Sequence, residues 1–308
     1  MKLLTTYPNK LVIVEPTHMG TLPLFTQMPR IGVLGNPLGM KRAGAVRDPG
    51  TPVAYLLLAY LGIGGALGSV EEHYENLLAR HYTWMRGDFW QRVREYRGFF
   101  ERAGVSPRSS GKALDLGAGS GFQSLALAEL GFEVLAVDTS EALLEELKSE
   151  AGERRIRLVL GDMSDPKVYA GKGPFEAAVC MGDTLPHLRS HEEVGALFVA
   201  VRGVLEGGGN LVLEFRDYIS ELKGADRAIP VRMDDERIMA TFLEYEKERV
   251  NVHDMVFEKG ADGWEMRKSA YPKLRLSTEV VSSFLERNGF QIVEGSEDKG
   301  FTTIVARA

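Results

Sequence analysis

Apolar and polar positions follow two rhythms along most of this chain. Between residues 113 and 215, short apolar runs at 113–116, 133–137, 156–160, 175–181 and 210–215 alternate with stretches whose apolar residues recur every three or four positions. Short apolar runs bounded by turn residues read as strands buried on both faces, and the helical spacing between them supplies the layers that cover those faces. Leu125, Ala126, Leu127 and Leu130 predict a helix over 122–130, stopped by Gly131. Leu143, Leu144 and Leu147 predict a second over 141–150, with Ser140 as its cap. Val194, Leu197, Phe198, Val201 and Leu205 predict a third over 192–205, ended by Gly207, Gly208 and Gly209. Strand followed by helix followed by strand is the pattern of a parallel sheet with helices on both faces.

The flanks read differently. Tyr74, Leu77, Leu78, His81, Tyr82, Met85, Phe89, Trp90 and Val93 make an apolar and aromatic face at helical spacing, so a helical lead-in over 70–96 precedes the sheet, and PRSSGK at 107–112 turns into its first strand. Period two returns at 237–244, 249–258 and 263–268, between charged or glycine turns. This predicts an antiparallel β insertion over about 222–274, lying as a lid over the site. A last helix at 278–288, stopped by Gly289, and strands at 291–293 and 301–306 close the chain.

Residues 1–70 are expected to form an extension with little regular structure, because prolines at 8, 16, 23, 29, 37, 49 and 52 interrupt every long element, although 11–14 suits a strand. The stretch 53–70 carries no charge and follows Lys41, Arg42 and Arg47, the arrangement of a signal anchor, but four glycines weaken it and its length is marginal for a membrane span. It reads as a membrane anchor, as an apolar helix docked on the body, or as an extension outside the functional protein, which then begins near Val70. The rest of the chain, 71–308, is expected to be one domain.

Charge and cysteine content narrow the classes. Six basic residues face two acidic ones in the first 70, so the remainder carries −10 of the chain's net −6. An acidic body is a poor match to a polyphosphate surface, which argues for a small-molecule substrate and against nucleic acid. The single cysteine, Cys180, lies in an apolar run and allows no internal disulfide, which points to a reducing, cytoplasmic setting. His187 and His191 are four apart, but Pro186 and Ser190 place them in a turn and at a helix cap, so no metal site is expected. The sequence leaves the oligomeric state open.

The chemistry gathers at ALDLGAGSGFQSLALAELGFEVLAVDTS, residues 113–140. Gly117, Gly119 and Gly121 turn the chain between strand and helix, and Asp138 ends the next strand, 19 positions after Gly119. Ligands of open α/β sheets bind outside the carboxyl ends of strands, where an acid at this spacing accepts from two ribose hydroxyls. The dinucleotide fingerprint G-x-G-x-x-G needs a glycine where this chain has Phe122, which argues against a nicotinamide oxidoreductase.

DLGAGSG with Asp115, the glycine turn and Asp138 resembles the first two motifs of class I S-adenosylmethionine (SAM) dependent methyltransferases. The resemblance implies a three-layer, doubly wound, Rossmann-like α/β fold with a seven-stranded sheet ending in an antiparallel hairpin, and SAM as cofactor. It implies that Asp115, Gly117, Ala118 and Gly119 pass the amino-acid part of SAM, and that Asp138 with Thr139 holds the ribose. By the same likeness Asp162 accepts from the adenine amino group, Met163 covers the ring, and Met181 and Gly182 border the place where methyl group and acceptor meet. HYENLLARHYTWMRGDFW resembles the cap that small-molecule members place over SAM, with Tyr82 shielding the cofactor and Trp84 and Arg86 toward the substrate. MGDTLPHL resembles glycine N-methyltransferase-like members, and His187 is the candidate base because an imidazole titrates near neutrality. Arg216 is expected to emerge beside the acceptor, and Tyr271 and Arg275, with Lys273, to contact an acceptor carboxylate or phosphate. The reading is methyl transfer to a small acceptor through N or O; a catalytically silent SAM-binding protein shares every motif.

Overall fold

The structure, a computed structural model, describes residues 3–7, 10–14, 67–261, 263–298 and 300–308. Near the N-terminus, β1 (Leu3–Tyr7) and β2 (Lys10–Val14) form an antiparallel hairpin, more regular structure than the proline pattern predicted. Most of the apolar stretch 53–70 lies outside the described residues. Among those described, no helix is long and apolar enough to cross a membrane.

The body opens with α1, which runs as Val70–His73, a wider π turn Tyr74–Leu78, and Ala79–Arg86. Ser69 caps it with a reciprocal capping box: its hydroxyl accepts from the Glu72 N–H, and the Glu72 carboxylate accepts from the Ser69 N–H. The predicted single lead-in is broken after Arg86, where Gly87 takes φ +102° and Asp88 caps α2 (Phe89–Arg102). Then follow β3 (Lys112–Leu116), α3 (Phe122–Glu129), β4 (Glu133–Asp138), α4 (Glu141–Ala151), β5 (Ile156–Leu160), β6 (Phe175–Cys180), α5 (His191–Val204) and β7 (Leu205–Arg216). The insertion comprises β8 (Ala228–Met233), β9 (Arg237–Tyr245), β10 (Arg249–Gly260) and β11 (Gly263–Leu274). The chain ends with α6 (Thr278–Arg287), β12 (Gln291–Asp298) and β13 (Phe301–Arg307).

The main sheet has seven strands in the order β12-β13-β7-β6-β3-β4-β5, with β13 antiparallel to both neighbours and the others parallel. Alternation along β3 divides the core: Leu114 and Leu116 face α5 and α6, packing with Phe198, Leu197 and Leu285, while Ala113 faces α2, α3 and α4, packing with Phe100, Phe122 and Leu147. Sequence order reverses between β3 and β6, so the carboxyl ends of β3, β4 and β6 open onto one crevice.

Two expectations change here. Gly207–Gly209 does not stop the helix, because α5 ends at Val204 and β7 begins at once. The glycines lie where the β6–β7 register shifts, and a Cβ on Gly209 would sit 3.0 Å from the Glu206 carbonyl oxygen and 3.1 Å from that of Glu176. The insertion has four strands where three were expected, in the order β11-β10-β9-β8. The missed β8 contains Pro230 and occupies the edge, where a missing N–H is tolerated. Leu77 and Leu78 of α1 pack on Met239 and Val256 of this second sheet, which fastens the insertion over the crevice.

Candidate active site

The crevice is a cavity of about 260 Å³ lined by the glycine turn (Gly117, Gly119), the end of β4 (Val137, Asp138, Thr139), the loop after β5 (Gly161, Asp162, Met163) and the loop after β6 (Thr184, His187, Leu188). Tyr74 and Tyr82 from α1 and Arg249 and Pro272 from the insertion complete the wall. Its floor is set by main-chain bonds: the N–H groups of Gly117 and Ala118 donate to the Val137 carbonyl at 2.8 and 3.0 Å. Gly117 lies at φ +73°, and a Cβ there would come 2.2 Å from Thr184 Cγ2. A Cβ on Gly119 would come 3.2 Å from the Tyr82 ring. These glycines keep open a narrow cradle that any side chain would fill.

Asp138 is fixed from two sides. Its Oδ2 accepts from the Gly119 N–H at 2.8 Å and its Oδ1 from the Ser140 N–H at 2.8 Å. Each oxygen retains a second lone pair for a ligand hydroxyl. Burial raises the carboxyl above its ordinary range, against the N–H bonds that favour its ionised form. Asp162 accepts from the Ser164 N–H at 2.8 Å and from the exposed Arg189 guanidinium at 3.3 Å, and Met163 is buried beside it.

Asp115 is fully enclosed behind the turn and accepts from the Ser124 hydroxyl at 2.6 Å. Burial, with a smaller contribution from the Asp138 charge, pushes its pKa up to about 7. A carboxyl raised on folding binds extra protons in the folded state, so its ionisation costs stability progressively as pH rises from about 4 toward 7. Asp115→Asn keeps an oxygen for Ser124 and removes that cost. Its denaturation midpoint should exceed wild type at pH 8 and approach it at pH 4; an equal gap at both would contradict this.

His187 sits in a short helical turn, Leu185–His187, with its ring edge-on to Tyr74 (5.8 Å between centroids) and to Tyr271 (5.7 Å). Its Nε2 is buried with no hydrogen-bond partner. Burial, then the positive charge of Lys273, holds it well below the usual imidazole range, so the ring is neutral at physiological pH. The Tyr74 and Tyr82 phenols are raised by burial and are neutral as well.

Of the residues singled out in the sequence, Tyr82, Gly117, Gly119, Asp138, Thr139, Asp162, Met163 and His187 line this one cavity. Ala118 and Met181 are buried behind the wall, and a Cβ on Gly182 would lie 3.6 Å from the Tyr82 hydroxyl. Arg86 donates to the Tyr96 hydroxyl at 2.9 Å, its Nε is buried without a partner, and Gly182 lies beside its Nη2.

The other substrate candidates stand elsewhere. Trp84 bonds Asp234 at 2.5 Å and packs under Arg232 and Arg237, because its helix has turned it toward β8 and β9. Arg216 stacks on Phe301 at 4.0 Å. Arg275 donates to Glu221 and to the carbonyls of Tyr218, Ile219 and Glu246, a brace between the insertion and the loop after β7. Tyr271 is buried behind His187 and does not line the cavity.

Several groups carry no local signal in the sequence. Glu214 Oε1 accepts from the Gly182 N–H at 3.1 Å and from the Tyr96 hydroxyl at 3.2 Å. Asp183, at φ +74°, accepts from Lys273 at 2.5 Å, from the Tyr218 hydroxyl at 2.7 Å and from the Arg216 N–H at 2.9 Å. A non-glycine residue in the left-handed region next to Gly182 marks a backbone held by its surroundings. MGD at 181–183 was the one available sign, since aspartate tolerates that conformation.

Residues 113–209 match the family model of a methyltransferase domain. The chain is 27% identical over 157 residues to a glycine/sarcosine N-methyltransferase of Parasynechococcus marenigrum (strain WH8102), covering 50% of this chain and 55% of that protein. It is 28% identical over 171 residues to the glycine N-methyltransferase of Rattus norvegicus, covering 51% and 57%. The chain thus spans about half the length of these curated relatives. Among solved structures, an S-adenosylmethionine-dependent methyltransferase from Clostridium acetobutylicum ATCC 824 superposes with a TM-score of 0.62 at 17% identity, over 76% of this chain and 98% of that one. An amino pentose methyltransferase from Micromonospora echinaspora, solved with SAM bound, gives 0.59 at 20% identity, over 79% and 98%. These likenesses place the chain's fold among the Rossmann-like methyltransferases.

Proposed function

From the premise that this chain carries a class I methyltransferase domain, we propose that it transfers the methyl group of SAM to a small-molecule acceptor in the cavity between the main sheet and the insertion. The observation that carries the reading is the meeting of the glycine turn, Asp138, Asp162, Met163 and His187 around one cavity, although 70 residues separate the first from the last. When bound, SAM supplies a methyl group on a sulfonium that is already activated for in-line displacement.

The protein's part is then alignment and exclusion of water. Asp138, with both oxygens oriented by main-chain N–H groups, would take the ribose hydroxyls, and Asp162 and Met163 the adenine. Thr139 lines the same pocket beside Asp138. Arg86, whose Nε is buried without a partner and whose Nη2 lies beside Gly182, is reassigned from the acceptor to the donor's carboxylate. Tyr74 and Tyr82 present neutral rings that favour a positive sulfonium. A neutral His187 accepts or relays the proton from an acceptor that must lose one. The domain is 71–308 with its insertion at about 222–274, which supplies Arg249 and Pro272 to the cavity wall.

Calorimetric titration with SAM and with its demethylated product, followed by labelled-methyl transfer into metabolite pools, tests the reading. Binding of both with labelled product in at least one pool is expected. Binding without label in any pool would favour a silent SAM-binding protein, and absence of binding would overturn the proposal.

A further inference from the structure

Behind the cavity wall lies a buried acid–base pair with no part in the reading above. His73, in the first turn of α1, and Asp254, in the middle of β10, are both almost wholly buried, with His73 Nε2 at 3.1 Å from Asp254 Oδ2. The other carboxylate oxygen of Asp254 accepts from the Thr241 hydroxyl of β9. With both oxygens engaged, Asp254 favours the tautomer of His73 that carries its proton on Nε2. His73 Nδ1 is buried and has no hydrogen-bond partner.

The pair is connected to the cavity through two rings, Tyr271 and Tyr74. His73 stacks on Tyr271 with centroids 4.0 Å apart and planes at 28°, and His187 meets the same Tyr271 ring edge-on at 5.7 Å. Tyr74, the residue after His73 and the first of the π turn, meets both histidines edge-on, at 6.0 Å and 5.8 Å. A π turn adds a residue to the helical repeat, and it lets adjacent positions 73 and 74 serve the insertion and the cavity in turn. Lys273 shares the inward face of β11 with Tyr271 and is held by Asp183. His187 is therefore enclosed by Tyr74 of α1, by Tyr271 and Lys273 of β11, and by Thr184 and Asp183 of its own loop, with His73 behind Tyr271.

A buried histidine–carboxylate pair is weak evidence of stability, since well-packed apolar residues often do as well. What this pair adds is direction: it ties α1 to the insertion at the one point where both touch the ring behind His187. We propose that His73 and Asp254 are positioning residues, which hold the Tyr271 ring and through it fix the orientation of the His187 imidazole in the cavity wall. The inference rests on the reading of His187 as the proton-accepting group of the site. It predicts that the insertion, on which Asp254 and Tyr271 stand, orients the base from outside the cavity.

The test uses the full chain labelled with nitrogen-15 histidine, in which two-bond nitrogen–proton spectra report the tautomer of each ring. Wild type should show one sharp tautomer for His187. Asp254→Leu removes the acceptor of His73, and Tyr271→Leu removes the ring between the histidines; either should replace the His187 pattern by an exchange-broadened mixture. Asp254→Asn, which keeps an oxygen for the His73 N–H, should restore the sharp pattern. A pair that only braces the fold would lower the melting temperature in these variants and leave the His187 signals as they are, which would overturn the proposal. If Asp254→Leu does not fold, Tyr271→Leu decides alone, by the same two outcomes. Calorimetry with the demethylated donor on wild type separates the two readings: its failure to bind removes the proposed function, whereas unchanged His187 signals with binding intact remove only the positioning pair.

Discussion

Asp138→Ala is expected to weaken binding of the demethylated donor by about 100-fold. The two hydroxyl bonds assigned to this carboxylate are charge-assisted, each typically contributing about 1.5 kcal/mol or more, and about 3 kcal/mol corresponds to two decades in affinity. The change also strips the Gly119 and Ser140 N–H groups of their acceptor, so the glycine turn loses the contact that ties it to the end of β4. Asp138→Asn should fall between the two proteins, because its amide keeps one acceptor and turns an N–H pair toward the other donor. Calorimetry on the three proteins is the measurement. A loss of less than about threefold in the alanine variant would mean that the ligand does not meet Asp138.

Gly121→Ala is expected to have the largest effect on stability of any single methyl added to the site's frame. Gly121 has φ +97°, and a Cβ there would land 2.1 Å from Leu147 Cδ1 and 2.9 Å from its Cγ. The left-handed conformation costs an L-residue about 1–2 kcal/mol, and overpacking a filled core adds about 1–3 kcal/mol. A loss of about 3 kcal/mol in denaturant unfolding follows. Gly289→Ala makes a fitting control, since Gly289, just past the end of α6, also has positive φ, +78°, with nothing within 4 Å of its missing Cβ. It should lose only about 1 kcal/mol. Adding Leu147→Ala to Gly121→Ala should relieve the clash and leave the backbone strain, so the two changes would couple favourably by about 1–3 kcal/mol. Strict additivity would show that the turn moves away from α4 instead.

This frame explains why the glycine-turn side of the cavity was legible. The third glycine of the turn is required by α4, the first by Thr184 and the second by Tyr82, so the spacing G-x-G-x-G records three separate close approaches. Phe122, read as the obstacle to a dinucleotide, is fully buried against Tyr82 and Phe89. It occupies the helix–strand contact that a glycine leaves open in the dinucleotide fold. Strand ends are local features, and Asp138, Asp162 and Gly182 fall where the apolar runs stop.

The residues predicted to meet the substrate do not converge, for a geometric reason. Trp84 and Arg86 lie two apart on one helix, so they point to different neighbours: Trp84 toward Asp234 of the insertion, Arg86 toward Tyr96 and Gly182. Arg275 follows Tyr271 and Lys273 at alternate positions, yet its guanidinium is taken by Glu221 and by carbonyls from three residues. A cluster of basic and aromatic residues shows that charge is available, and says nothing about which carbonyl or carboxylate takes it up.

By itself, the order of apolar runs determined the alternating body of the fold, because each run is buried by neighbours that follow closely in the chain. The same locality determined the glycine-turn side of the cavity, where a strand end, a turn and a helix start supply adjacent residues. Only the tertiary structure decided what surrounds His187, since Tyr74, Asp183, Tyr271 and Lys273 come from a helix, a loop and a strand of the insertion. The Asp183–Lys273 pair spans 90 residues and the His73–Asp254 pair spans 181. Such partners meet because two sheets and one helix pack together, and no spacing along the chain encodes the meeting.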